Sequence, residues 1–489
     1  MSSSVRRSAV GFLFAIVAAI LLASCSSSRP ATIAITHVTL IDATGAAPQP
    51  DSTVIVSDGR ISAAGSANSI VIPRSAEVVD ASGKFLIPGL ADMHIHLTGA
   101  GEPSGSREFI IPLLIANGIT TVRDMGGKVE YLKELRAEIE SGKRIGPQIF
   151  FTGPYLDGNP PSFQPSIVVQ TAAEATAAVD ELKREGVDFI KVQSRLQPEA
   201  YFAIARESKK QGMRFLGHVP DAITAAAASD AGQASIEHLT GVLLGCSTRE
   251  EELRQRRLAL LPLKDTKASV LARDRLWTKD LLDSYSQQKA GSLFQKFRAN
   301  RTWQVPTLPL LIRLAYLVPE SDRKGDLRLK YIPRDVRETW DKSRDELLDS
   351  RIEVDFALQR RLVKQSLAAV KAMNDAGISF MSGTDATAPN VLPGFSLHED
   401  LSYLVEAGLT PMQALQAATA KPAEFLGLGA EQGTIEVGKR ADLVLLDANP
   451  LEDIHNTEKI RAVIVNKKLL DRSQLDALLA NGEKFAATH

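Results

Sequence analysis

Phe85-Leu86-Ile87-Pro88-Gly89-Leu90-Ala91-Asp92-Met93-His94-Ile95-His96 is the stretch on which the fold turns. Its apolar run ends in two histidines two residues apart, a spacing that points both side chains to one face of a strand. Four other segments have the same build: Phe189-Ile190-Lys191-Val192, Leu216-Gly217-His218-Val219, Ser235-Ile236-Glu237-His238 and Ser382-Gly383-Thr384-Asp385. Each places a residue that can serve a divalent-metal centre at the end of a run that reads as a buried strand.

Working outward, strand-like runs alternate with helical patterns, which argues for a parallel sheet. The strand candidates are 89–97, 118–124, 148–153, 189–193, 214–219, 234–239, 303–308 and 378–384. That count closes a TIM-type (β/α)8 barrel, whose chemistry sits at the C-terminal ends of the strands. Every metal-ligand candidate falls at or near such an end. The predicted barrel covers 86–429, with a helical insertion at about 248–301 and a further extension at 321–353. Insertions of this kind are either a roof over the site or solvated decoration. Short β-like pieces at 32–85 and 430–475 are expected to form a small β-sandwich domain from both chain ends.

The residue types specify a chemistry. His94 and His96 would make half of a metal site, and His218 and His238, twenty residues apart, would bind a second ion. A lysine ammonium cannot ligate. Buried beside cations, though, Lys191 should lose its proton and add CO2, giving an anionic carbamate that can bridge two metals. Asp385 can ligate and shuttle a proton. Two divalent ions carry +4, while carbamate, Asp385 and a bridging hydroxide return −3, so the bound water is acidified. Zinc is the default for mixed histidine and oxygen ligands, with manganese or cobalt the alternatives. Taken singly, each residue has a plain structural alternative, such as a core histidine pair, a surface salt bridge or a turn aspartate. Their joint placement at one rim is what favours the centre. Candidate substrate contacts are Arg123, Tyr155, Arg195 and His398; either arginine could fork onto a carboxylate or form a structural ion pair.

Composition excludes some partners. Hydrophobic residues make up 44%, charged residues 24%, and the net charge is −1, so no basic excess points to nucleic acid. Arg6 and Arg7, the apolar run 9–23 and Leu22-Ala23-Ser24-Cys25 describe a secretory signal with a lipobox at 1–25, followed by a tether at 26–31. Cys25 is therefore the expected lipidation site. The protein is expected to be exported and membrane-anchored, on the outer membrane facing the periplasm in a two-membrane bacterium. The one other cysteine, Cys246, cannot form an internal disulfide with an acylated Cys25. A small-molecule substrate and an oligomeric assembly are compatible with this picture.

Phe85–Leu90 followed by Asp92-Met93-His94-Ile95-His96 resembles the barrel entry of the amidohydrolase superfamily. Leu397-His398-Glu399-Asp400-Leu401, Ala414–Pro422 and Gly433–Asp447 agree with it. From about Ile33 to Leu470 the chain is similar to the imidazolonepropionase-like branch, which includes prolidase-type metallodipeptidases. The resemblance implies hydrolysis of an amide bond in a dipeptide or N-acyl amino acid by a metal-bridging hydroxide. Cyclic amides, lactones or esters are the alternative substrates, and a catalytically silent metal- or ligand-binding lipoprotein is the rival. Deaminases of the superfamily place a glutamate shortly after the fifth-strand histidine, where this chain has Pro220-Asp221. The dipeptidase pattern is also incomplete. Tyr155-Leu156-Asp157-Gly158 and His218-Val219-Pro220 stand where those relatives often carry Gly-Gly-His and His-Ala-Tyr.

Overall fold

The computed structural model describes residues 32–98, 105–260, 267–317 and 325–489. The predicted signal, the tether and Cys25 lie outside the described residues. β1 (Thr32–Leu40), β2 (Gln49–Ser57), β3 (Arg60–Ser66), β4 (Glu77–Asp80) and β5 (Phe85–Pro88) come first. The middle of the chain carries β6 (Leu90–Ile95), β7 (Ile119–Asp124), β8 (Gln148–Phe151), β9 (Tyr155–Asp157), β10 (Ser166–Val168), β11 (Phe189–Val192), β12 (Arg214–Gly217), β13 (Ser235–Glu237) and β14 (Trp303–Val305). β15 (Leu443–Leu446), β16 (Ile460–Val465) and β17 (Lys468–Asp471) follow.

Strands from the two chain ends share one eight-stranded sheet in the order β17-β16-β15-β5-β1-β2-β3, with β4 also paired to β1. Asp58-Gly59 turns β2 into β3 with both residues at positive φ, the geometry of a tight hairpin that follows strand twist. This sheet has its own core of Ile33, Ile35, Val54, Val56, Leu443, Leu445 and Ile464.

The middle strands form two parallel sheets, β6-β7-β8 and β10-β9-β11-β12-β13-β14. Segment 378–386 lies between them on one side. Met381 N–H donates to Gln304 O at 3.0 Å, and Met93 N–H donates to Ser382 O at 2.9 Å. On the other side Asp188 N–H donates to Phe151 O at 2.9 Å. The expected eighth strand is thus present as a connecting segment with isolated bridges at Phe380 and Ala386, not as a regular strand. Just past the expected strand, Asp385 takes a left-handed backbone conformation, φ 66°, which a regular strand does not continue through. An inner cluster of Ala91, Met93, Met125, Phe189, Leu216, Val305, Met381 and Phe425 packs beneath the strand ends. Truncating fully buried Leu216 to alanine there should cost about 2–5 kcal/mol.

Two glycines permit close approach beneath the site. A Cβ on Gly217 would lie 2.3 Å from Val192 O and 3.0 Å from Lys191 Cδ. One on Gly383 would lie 2.9 Å from the Cβ and N of His94. A register shift between Asp92 and Ile95 in the β6–β7 pairing re-aims the histidine strand end, as irregularities beside sites often do.

Candidate metal centre

His94, His96, Lys191, His218, His238 and Asp385 line one cavity at the strand ends. His94 and His96 approach Asp385 Oδ1 through Nε2 at 3.3 and 3.0 Å. The ring centroids of His94 and His238 are 4.5 Å apart, and those of His218 and His238 are 5.0 Å apart. One ligand atom each from His94, His238 and Asp385 falls within a mutual 4.8 Å, a grouping fit for a metal ion.

The hydrogen bonds decide which nitrogen each ring offers. His94 Nδ1–H donates to Glu237 at 2.8 Å and His96 Nδ1–H donates to Gly126 O at 3.3 Å. His218 Nδ1 pairs with the Ser194 hydroxyl at 2.8 Å, and His238 Nδ1 pairs with the Thr307 hydroxyl at 2.6 Å. Those hydroxyls donate onward, to Gln193 Oε1 and Pro306 O, so they accept from the imidazoles. His94, His218 and His238 therefore spend Nδ1–H on the protein and keep the Nε2 lone pair. His96 is held back by burial but raised overall by Asp385, 3.0 Å from its Nε2, which keeps a proton there until a cation takes its place. On His94 that Nε2 is buried without a hydrogen-bond partner. A lone pair facing a carboxylate oxygen is repulsive unless a cation stands between them. The donor set thus fits divalent metal, with oxygen from Asp385 and nitrogen from neutral histidine.

Electrostatics agree with this geometry. Burial drives His218 well below the usual imidazole range, helped by Lys191, and burial pushes His238 down to about 3. Both rings are therefore neutral and able to ligate. Burial alone would raise Asp385, but positive charge placed at His238 and His94 draws it well below the usual carboxylate range. The spot therefore favours a cation, which a metal ion would supply to neutral rings. Burial lowers Lys191 to about 8 against the pull of Glu237 and Asp385, which frees a sizeable fraction of amine near neutral pH. His238 and Asp385 both sit at positive φ, 57° and 66°, in the left-handed region that costs about 1–3 kcal/mol for such residues. Packing around the strand ends holds them there.

Glu237 was not among the residues singled out from sequence. It is fully buried and accepts from Arg123 Nη2 at 3.0 and 3.1 Å, from His94 and from the Ser235 hydroxyl. Burial would raise this carboxyl, but Arg123 and His94 overcome that and lower it. The one available signal was its place beside His238, where a buried strand rarely tolerates an unpaired acid.

Of the two readings of Arg123, a fork onto substrate or a structural ion pair, the structure shows the ion pair. Arg123 has no exposed surface, and its guanidinium also donates to Met93 O at 2.7 Å, so it acts as the counter-charge of Glu237. His398 is likewise corrected. It is 1% exposed, pairs through Nδ1 with the Thr457 hydroxyl at 2.9 Å, and does not line the cavity. Its neighbour Asp400 is the residue that supports the site. It accepts from the Ser382 hydroxyl at 2.6 Å and from Leu308 N–H at 3.1 Å, fixing the segment that carries Asp385. Arg195 is partly exposed and does not line the cavity, while its N–H donates to Asp157 at 2.8 Å. Tyr155 does line it, with its hydroxyl 3.4 Å from His96 Nδ1.

The cavity measures about 780 Å³. Its walls come from Phe163 and Gln164, from Leu310, and from the helix Arg334–Ser350 through Val336, Thr339, Trp340 and Ser343. None of the described residues of the 248–301 insertion lines it, so the expected roof is supplied by the later 321–353 extension instead.

The Amidohydrolase family model matches residues 85–470. This chain belongs to the Amidohydrolase family. Among curated amidohydrolase relatives, ochratoxinase of Aspergillus niger is 34% identical over 110 residues, 21% of this chain and 23% of that protein. The chain thus matches less than a quarter of that relative's length. In structure it is similar to a prolidase candidate from Bifidobacterium longum, with 25% identity, TM-score 0.64, and coverage of 93% of this chain and 99% of the other. Bottromycin amidohydrolase is similar at 22% identity and TM-score 0.72, covering 94% and 91%, and shares the fold. The ochratoxinase structure, at 21% identity and TM-score 0.62, covers 91% and 96%.

Proposed function

We propose that this protein is a binuclear metal-dependent hydrolase of an amide bond, built on a closed (β/α)8 barrel with a small β-sandwich from the chain ends. The observation that carries the proposal is that His94, His96, His218 and His238 each engage the protein through Nδ1 while one ligand atom each of His94, His238 and Asp385 falls within a mutual 4.8 Å. Two divalent ions, with zinc the best match, would be held by those histidines, Asp385 and a carbamate on Lys191. Bound there, they supply Lewis-acid polarisation and an acidified water. Asp385 takes a proton on its carboxylate and returns it to the leaving nitrogen. Glu237 and the two hydroxyls hold the imidazoles in place, so little reorganisation is required during the reaction. Tyr155, whose hydroxyl burial and the nearby Asp385 and Asp124 keep protonated, offers a donor at the cavity wall.

Membership of the Amidohydrolase family and the similarity to a prolidase candidate support the amide over the cyclic amide, lactone or ester reading. A silent binding protein has no need of both a buried lysine and a proton-shuttling aspartate. Export and anchoring through an acylated Cys25 are proposed on the N-terminal sequence alone, and intact-mass measurement of the membrane-extracted protein tests for the added lipid.

The deciding experiment is elemental analysis of chain expressed from Ser27 onward with bicarbonate and zinc. About two metals per chain is the expected result. A folded sample that holds none sinks the proposal.

A further inference from the structure

We infer that the cavity takes an uncharged amide bearing a bulky apolar or aromatic group, and discriminates against substrates with a free carboxylate. The inference rests on the amide-hydrolase reading and sets aside the dipeptide or N-acyl amino acid expected from sequence, both of which carry a free carboxylate.

A site for a free carboxylate needs a cation or a set of convergent donors, because an unpaired anion against an apolar wall loses its hydration without compensation. Among the described lining residues the one cation is Lys191, 1% exposed on the floor beside the histidines. As a carbamate it would become an anion. Both arginines expected to do this work are elsewhere. Arg123 is sealed under the floor by Glu237, and Arg195 lies off the lining. Arg344, on the same wall helix as Trp340, is 2% exposed and tied to Asp341 and Asp345. Arg313 and Arg328 both end on Glu399.

The wall offers an apolar surface in their place. Leu310, Val336, Trp340, Ala388 and Pro389 line it, and Phe163 stands 54% exposed beside them. A large ring exposed in a concave site is a surface that gains by being covered. The polar groups among them (Gln164, Gln193, Thr240, Thr339) are uncharged and suit an amide's donor and acceptor. The one charged side chain among the described wall residues is exposed Asp335, whose sign opposes an incoming carboxylate.

The test uses N-benzylbenzamide and the same scaffold bearing a carboxylate on the ring remote from the amide, 4-(benzamidomethyl)benzoate. Binding to the metal-loaded protein is followed by calorimetry, and cleavage separately by chromatography. The neutral probe should bind about tenfold or more tightly than the acid. Val336→Arg, a partly exposed wall position, should narrow or invert that preference by about tenfold without changing bound metal. Equal or tighter binding of the acid by the unaltered protein overturns the inference, as does binding of neither probe. A preference untouched by Val336→Arg overturns the wall as its source. Neutral-selective binding without cleavage keeps the inference and counts against the hydrolase reading; preferential cleavage of the acid does the reverse.

Discussion

The floor and the wall of this cavity face the same substrate, but their side chains are held differently. On the floor the imidazoles and their supporting acid are tied to protein partners: Glu237 for His94, Ser194 for His218, Thr307 for His238 and Arg123 for Glu237. On the wall, Val336, Trp340 and Ser343 come from one helix and Phe163, 54% exposed, from a loop. A metal centre needs atoms fixed to fractions of an ångström, so its supports are polar and directional. An apolar wall needs only shape and can change without disturbing the chemistry. The difference teaches that reaction and selectivity reside in separable parts of this fold.

Variants that break floor and wall separately sharpen that contrast. The largest effect is expected for Asp385→Asn. The amide keeps an oxygen for metal but cannot carry the proton, so turnover should fall by roughly 10²–10⁴-fold. Much of the metal should stay bound by elemental analysis; wild-type turnover would remove Asp385 from its role.

Next comes Glu237→Gln. The amide no longer balances Arg123 and no longer orients His94 as a charged acceptor, so metal affinity should drop about 10–100-fold in a chelator competition. Val336→Arg should leave that affinity unchanged. If both variants weaken metal equally, floor and wall are not separable.

The smallest effect on activity is expected for His398→Gln, which should remain within about twofold of the parent protein. Its signature lies in acid stability. Burial lowers His398 to about 4 in the folded protein, against an ordinary value of 6.5. Between those values the unfolded chain binds the proton and the folded one does not. Stability from this group is therefore full above about 6.5 and lost as pH falls toward 4. Thermal melts across that window should show a shallower acid loss in His398→Gln than in the parent. An unchanged slope would show that His398 does not titrate as its burial implies.

Much of the floor was legible because its signals are local. Two-residue spacing in His94-Ile95-His96, and polar residues closing apolar runs at Lys191, His218, His238 and Asp385, reveal themselves without knowledge of distant partners. Arg123 misled for the opposite reason. An arginine at a strand end looks the same in sequence whether it meets a substrate or a buried acid 114 residues away. His398 and Asp400, in one short motif, could not be ranked until the helix Phe395–Glu406 was seen to face Asp400 toward Ser382 and His398 toward Thr457.

By itself, then, the sequence determined the parallel α/β frame, the family and the residue types gathered at the strand ends, because periodicity and strand-end chemistry are written in neighbouring residues. Only the tertiary structure decided which nitrogen each histidine presents, that Arg123 belongs to Glu237, and that the wall facing the centre is apolar and lacks a free cation among its described residues. Those outcomes depend on pairings between segments far apart in the chain, and burial and charge compensation are fixed only when such segments meet.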